Sequence, residues 1–182
     1  FLIYFFVITY LSMITTDIAS EKGSRALEML LVSIRPETHF KAKITGVLLV
    51  ALTQLGVMVG FLFILVRFVK GGEMWDSFVD VVNELNISYI VYIVAFLIAT
   101  IILFLIIGAL FGSLVSKVEE AGQVMTPAIL LTLVGFYIML SGLGNPDTML
   151  IKISSYIPFT SGMVMPMRIG ATDLAAFEPM LS

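Results

Sequence analysis

Four stretches of nearly continuous apolar residues dictate what this chain can become: 1–16, 44–68, 87–115 and 124–143. A hydrocarbon core takes roughly 20 such residues to cross as a helix, and none of the four shows the period-2 alternation of a barrel strand. Each peptide group in lipid must be satisfied within its own segment, so the runs are read as helices. The fold class expected is all-α and polytopic, with four transmembrane helices. The chain opens inside an apolar run at Phe1 and closes on Glu178-Pro179-Met180-Leu181-Ser182, and it reads as a fragment of a longer membrane protein.

Composition agrees. The 182 residues are 59% hydrophobic with a mean hydropathy of +1.08, and 13% are charged, against about 25% in soluble domains. A soluble fold of this length has no interior large enough for so much apolar surface. Cysteine is absent, which removes disulfides and thiolate metal sites. No basic n-region with a small-residue cleavage site marks a signal peptide.

The connections alternate in charge. Residues 17–43 carry Lys22, Arg25, Arg35, Lys41 and Lys43, whereas 70–86 carry Lys70 against Glu73, Asp76, Asp80 and Glu84. Counting Lys and Arg places 17–43 in the cytoplasm and 70–86 outside. The short loop 116–123 with Lys117 then returns inside, and 144–182 lies outside. In that last region Asn145-Pro146-Asp147 opens a short helix and Ile157-Pro158 breaks it, a pattern expected at the membrane–water interface with short helices dipping inward.

Enzyme signatures are missing: there is no G-x-x-x-x-G-K-[ST], H-E-x-x-H or G-x-S-x-G. His39 stands alone among basic residues and is read as interfacial. No catalytic, cofactor, metal or nucleic-acid site is expected. The centres of the four runs hold no ionisable residue, so a proton relay or cation cage built from them alone is disfavoured. Thr53 and Gln54 are the polar pair at depth in the second run, suited to a pathway or, more simply, to an interhelical hydrogen bond. Gly56-x-x-x-Gly60 and Gly108-x-x-x-Gly112 each make a flat stripe for helix packing.

The stretch 18–43, IASEKGSRALEMLLVSIRPETHFKAK, concentrates the charge. Glu21, Arg25 and Glu28 fall at i, i+4 and i+7, so the pairs Glu21–Arg25 and Arg25–Glu28 share one helix face. Ala26, Leu27, Leu30, Leu31 and Ile34 make an apolar ridge on the other. Pro36 ends that helix and pushes Arg35 toward extended geometry. From the residues alone the stretch suits a headgroup-anchoring interfacial helix as well as a protein contact.

Taken with two later segments, this stretch resembles the ABC-2 membrane family of exporter permeases. Ser20-Glu-Lys-Gly-Ser-Arg-Ala-Leu-Glu-Met-Leu-Leu-Val-Ser33, followed by Pro36 and a lysine before an apolar run, resembles the family's first cytoplasmic loop. Gly112–Ala121, Tyr156–Ser161 and Met165-Pro-Met-Arg168 follow in register. The wording is similar to the branch described as sodium-exporting permeases. The resemblance implies a six-helix permease half, of which these spans are helices two to five, in a multi-pass bacterial or archaeal plasma membrane. It implies a second permease half, homo- or heterodimeric, surrounding lipids, and a cytoplasmic ATPase partner that binds ATP and Mg. It makes 20–33 a coupling helix, with Glu21, Lys22, Arg25 and Glu28 setting register and Leu27, Leu30 and Leu31 filling a groove on the ATPase. Residues 153–168 become extracellular re-entrant helices. Alternatives are an ATP-independent scaffold, an ion-coupled secondary carrier, or ATP-driven export of a lipid, peptide or antibiotic instead of sodium.

Overall fold

In the computed structural model, residues 2–24, 29, 32–68, 75–76, 79–80 and 87–171 are described. They form α1 (Leu2–Gly23), α2 (Pro36–Phe68), α3 (Ile87–Leu114), α4 (Val118–Gly142), α5 (Met149–Ser154) and α6 (Pro158–Ala171), with no strand among the described residues. The first four are long and apolar enough to cross a bilayer, making this an all-α multi-pass membrane protein. α1 ends where α2 begins, and α3 ends where α4 begins, at one end of the bundle, called here the basic end.

α1 runs through the middle. Phe6, Tyr10 and Ile14, spaced by four, pack with Val47 and Ala51 of α2 and with Leu97, Ile101, Leu105 and Ala109 of α3. Val7 and Leu11, one step round the helix, pack with Phe104 of α3 and Met125 and Ala128 of α4. Two adjacent stripes are therefore buried, and an all-apolar helix suits that position better than an amphipathic one.

Three boundaries differ from the sequence reading, which ended the first span at 16, began the second at 44 and began the fourth at 124. α1 continues through Asp17, Glu21 and Lys22 to Gly23. Its acids meet cations of α2, so the helix has no reason to stop at the first charge. α4 starts at Val118, with Glu119 and Glu120 in its first turn, where carboxylates favour the exposed amides of a helix start. α2 begins at Pro36, whose missing N–H costs nothing in a first turn. Its 33 residues span about 50 Å, well beyond a hydrocarbon core of about 30 Å.

α3 lies closest to α1 at its glycines. A Cβ on Gly108 would sit 2.5 Å from Ile14 Cγ2, and one on Gly112 would sit 2.7 Å from Thr15 O. The bare backbone there is used: the Thr15 hydroxyl donates to Leu11 O at 2.7 Å and lies 3.0 Å from Gly108 O across the interface. Small residues and a hydroxyl bridge are how helices associate where lipid removes the hydrophobic drive.

α5 and α6 make a hairpin entering from the other end. Gly142 of α4 faces Ile151 and Met167, while Gly135, two turns further in, faces Thr160. On α3, Tyr89 meets Gly170, Thr100 meets Gly162, and the Phe104 ring stands edge-on to Phe159. The turn at 155–158 is thus the deepest part. Seven residues of α4 at 1.5 Å each set it roughly 10 Å inside the level of Gly142. Irregular backbone at such depth must be enclosed by protein. Ser154, Ser155, Thr160 and Ser161 are buried, and Thr160 Oγ1 donates to Ser154 O at 2.6 Å. Arg168, 3% exposed, reaches back to donate to Ser155 Oγ at 2.6 Å, tying the outgoing arm to the turn.

Gly162 is the tightest point of this hairpin, since an added Cβ would lie 1.8 Å from Thr100 Oγ1. Gly162→Ala is expected to cost about 1–3 kcal/mol through forced displacement. A lowered melting midpoint of the purified full-length protein, partly recovered by adding Thr100→Ala, checks this. An unchanged midpoint would contradict the packing.

Candidate functional site

Charge gathers at the basic end in one place. Asp17 and Glu21 stand one turn apart on α1, and His39 and Lys43 stand one turn apart on α2, so each pair shares a helix face. Lys43 Nζ lies 2.7 Å from Asp17 Oδ2 and also donates to Glu21 Oε1, which makes one ammonium bridge two carboxylates. His39 Nε2 lies 3.4 Å from Glu21 Oε2. Lys43 is the most enclosed of the four, its side chain 14% exposed against 46% for Asp17. A partly enclosed ion pair is screened less by salt than a surface one.

The next turn of α1 fastens to α3. Lys22 Nζ donates to Ser113 O at 2.7 Å. That carbonyl belongs to the last turn of α3, where backbone oxygens lack helical partners and a cation is favourable. Gly23 then passes so close to the α3–α4 connection that a Cβ would lie 2.6 Å from Ser116 O. The end of α1 is therefore held on one side by α2 and on the other by α3.

Of the residues singled out for ATPase coupling, Glu21 and Lys22 are described and stand in these contacts. The Glu21 carboxylate meets α2, and the expected Glu21–Arg25 pairing involves a residue outside the described ones. Arg25, Leu27, Glu28, Leu30 and Leu31 lie outside the described residues. The described parts of the same stretch, Met29, Val32 and Ile34, are exposed, Val32 at 90%. This part of the stretch projects clear of the bundle.

The residues read as pathway or packing separate cleanly. Gln54 Oε1 accepts the Tyr10 hydroxyl proton across α1 and α2. Thr53 Oγ1 donates to Leu49 O of its own helix at 2.8 Å. Gly108 and Gly112 are enclosed against α1, whereas Gly56 and Gly60 have open space where a Cβ would go. The sequence reading passed over Asp17, His39 and Lys43 as members of a site. The usable signal was an i, i+4 acidic pair at the end of one span facing an i, i+4 basic pair ahead of the next. Among the described residues no three His, Cys, Asp or Glu side chains converge as a metal site. The junction braces α1 and α2 on either side of the stretch that joins them.

Comparison with known proteins follows the same lines. Residues 1–181 match the family model described as ABC-2 family transporter protein. The chain is 36% identical over 180 residues to the uncharacterized protein YhaP of Bacillus subtilis, covering 98% of this chain and 43% of that protein. It is 27% identical over 190 residues to the uncharacterized protein MJ1024 of Methanocaldococcus jannaschii, covering 100% of this chain and 42% of that protein. The chain thus spans less than half the length of these curated relatives. No solved structure matches it.

Proposed function

The chain belongs to the ABC-2 transporter family, and we propose that it is the membrane permease part of an exporter driven by a separate cytoplasmic ATPase. Family members of this kind are membrane transport subunits that normally work with such a partner. In this reading residues 20–33 form the coupling element, 17–43 and 116–123 face the cytoplasm, and 70–86 and 144–182 face outside. ATP and Mg bind to the partner chain, and a second permease half completes the pathway.

One observation carries the reading furthest. Met29, Val32 and Ile34 stand clear of the bundle, while the helix on either side of the stretch is braced through Asp17, Glu21, Lys22 and Lys43. Lys22 and Lys43 are turned to protein oxygens, while Arg35 and Lys41 are exposed, so headgroup contact is the competing reading for the basic residues. A free surface on a stiff mount suits a contact that must deliver force. Sodium is the first substrate to try, from the resemblance to sodium-exporting permeases; a lipid, peptide or antibiotic is the alternative.

The test is purification of the tagged full-length protein from its native membrane. An ATP-hydrolysing subunit is expected to co-purify and to be lost when 20–33 is replaced by a Gly/Ser linker of equal length. Recovery of the permease alone, with or without cross-linking, would contradict the proposal.

A further inference from the structure

α2 is held to the bundle by few contacts. Of its 33 residues, Val47, Ala51 and Val66 are buried. Beside them stand the Tyr10–Gln54 hydrogen bond and the charge cluster. The cluster also sits between two cavities. One of about 340 Å³ is lined by Met13, Asp17, Gly46 and Val50, and one of about 510 Å³ by Ile18, Phe40, Ile106 and Leu110; His39 and Lys43 border both. The first two turns of α2 consequently stand beside α1 with little apolar packing between them, and the ion pairs bridge the gap.

We propose that Asp17, Glu21, His39 and Lys43 form a transmission joint that makes α1 and α2 move together when the segment between them is displaced. This deepens the proposed function and rests on it. The reasoning is geometric. The segment leaves α1 at Gly23 and enters α2 at Pro36. Displacing it therefore acts on both helices, yet α1 is wedged into the core along its length while α2 joins it mainly through Val47 and Ala51. Without a tie, α2 would swing independently, because lipid-facing apolar surface offers no restoring force against another apolar environment. A single ammonium seated between carboxylates one turn apart resists that swing. Rotating α1 by one residue turns its acids by about 100° and breaks the arrangement. His39 stands on the same face, its Nε2 3.4 Å from the Glu21 oxygen that Lys43 does not hold. The joint continues to α3 through Lys22 and Ser113, so movement of the segment reaches three helices. These residues position others and touch no substrate.

The test uses the full-length permease with its ATPase in lipid, other cysteines removed, and nitroxide labels on Gly46→Cys of α2 and Val134→Cys of α4. Both sites tolerate a label: Gly46 has open space around it and Val134 is exposed. Binding of ATP with vanadate is expected to change the label-to-label distance in the parent protein. Lys43→Gln is expected to lower the melting midpoint without unfolding the protein and to keep the bound ATPase, but to lose that change. The charge-swapped double variant Asp17→Lys with Lys43→Asp is expected to restore it, and a melting midpoint read beside it separates recovered coupling from recovered stability. Asp17→Asn, which keeps side-chain size and lies outside 20–33, should act like Lys43→Gln and serves if the latter folds poorly. A nucleotide-dependent change that persists in Lys43→Gln or Asp17→Asn overturns the joint. So does a loss that the charge swap leaves unrepaired. A parent protein with bound ATPase but no nucleotide-dependent change at all points instead to failure of the underlying coupling proposal.

Discussion

Gly112→Val is expected to pry α3 from α1 and to remove most of the folded, monodisperse protein from a detergent extract. The new side chain would begin 2.7 Å from Thr15 O and 2.9 Å from Ile18 Cβ, and neither neighbour can retreat. Thr15 O is helix backbone, and Ile18 Cβ is fixed to it. The helices must therefore separate along their whole contact, which includes the close approach at Gly108 and the hydroxyl bridge from Thr15. Overpacking of this kind costs about 1–3 kcal/mol where side chains yield, and more where only backbone can. Folded domains hold a margin of about 5–15 kcal/mol, so a large share of it disappears. Gly56→Val is the matched control. Its position meets open space, and its effect on the melting midpoint should stay within about 0.5 kcal/mol. Equal melting behaviour of the two variants would show that α1 and α3 are not packed as described.

Leu30→Asp is expected to weaken association with the ATPase by about 100-fold while leaving the permease folded. In the proposed reading Leu30 belongs to the ATPase contact and not to the core formed by α1, α3 and α4. In the proposed groove, however, it gives up about 1.5–3 kcal/mol of apolar burial and obliges a carboxylate to lose water without a partner. Each 1.4 kcal/mol is tenfold in affinity, and the two effects together exceed two such steps. Titration of the purified ATPase against wild-type and variant permease in nanodiscs reads the difference directly. Unaltered affinity would remove Leu30 from the contact.

The spans were legible because nothing in them competes with the apolar signal. Residues 87–115 are so uniformly apolar that only a buried or membrane helix fits them. Their ends were less legible, since Asp17 and Glu21 look like the start of a loop until Lys43 and His39 are known to stand opposite. Sequence spacing shows that two acids share a face of α1 and two basic groups share a face of α2. It does not show that the faces meet, because the segment joining them leaves their rotation open. The two glycine pairs make the same point. Gly56-x-x-x-Gly60 and Gly108-x-x-x-Gly112 are alike as patterns, yet α1 occupies only the second. The hairpin was visible as a Pro-broken apolar segment, but its depth was not. Thr160, Ser161 and Arg168 fall in the segment expected to dip inward, and they are buried because each finds a partner inside the turn or nearby.

The central claim is that hydrolysis of ATP on another chain drives transport through the segment between α1 and α2. It is tested most directly by measuring flux and hydrolysis together, in proteoliposomes holding the full-length protein and its co-purified ATPase, with sodium screened against amphiphilic drugs and peptides. The account expects flux of one of these to require ATP, and Glu28→Lys to abolish that flux while protein yield stays unchanged. Flux that follows an ion gradient without ATP, or that persists undiminished in Glu28→Lys, would contradict it.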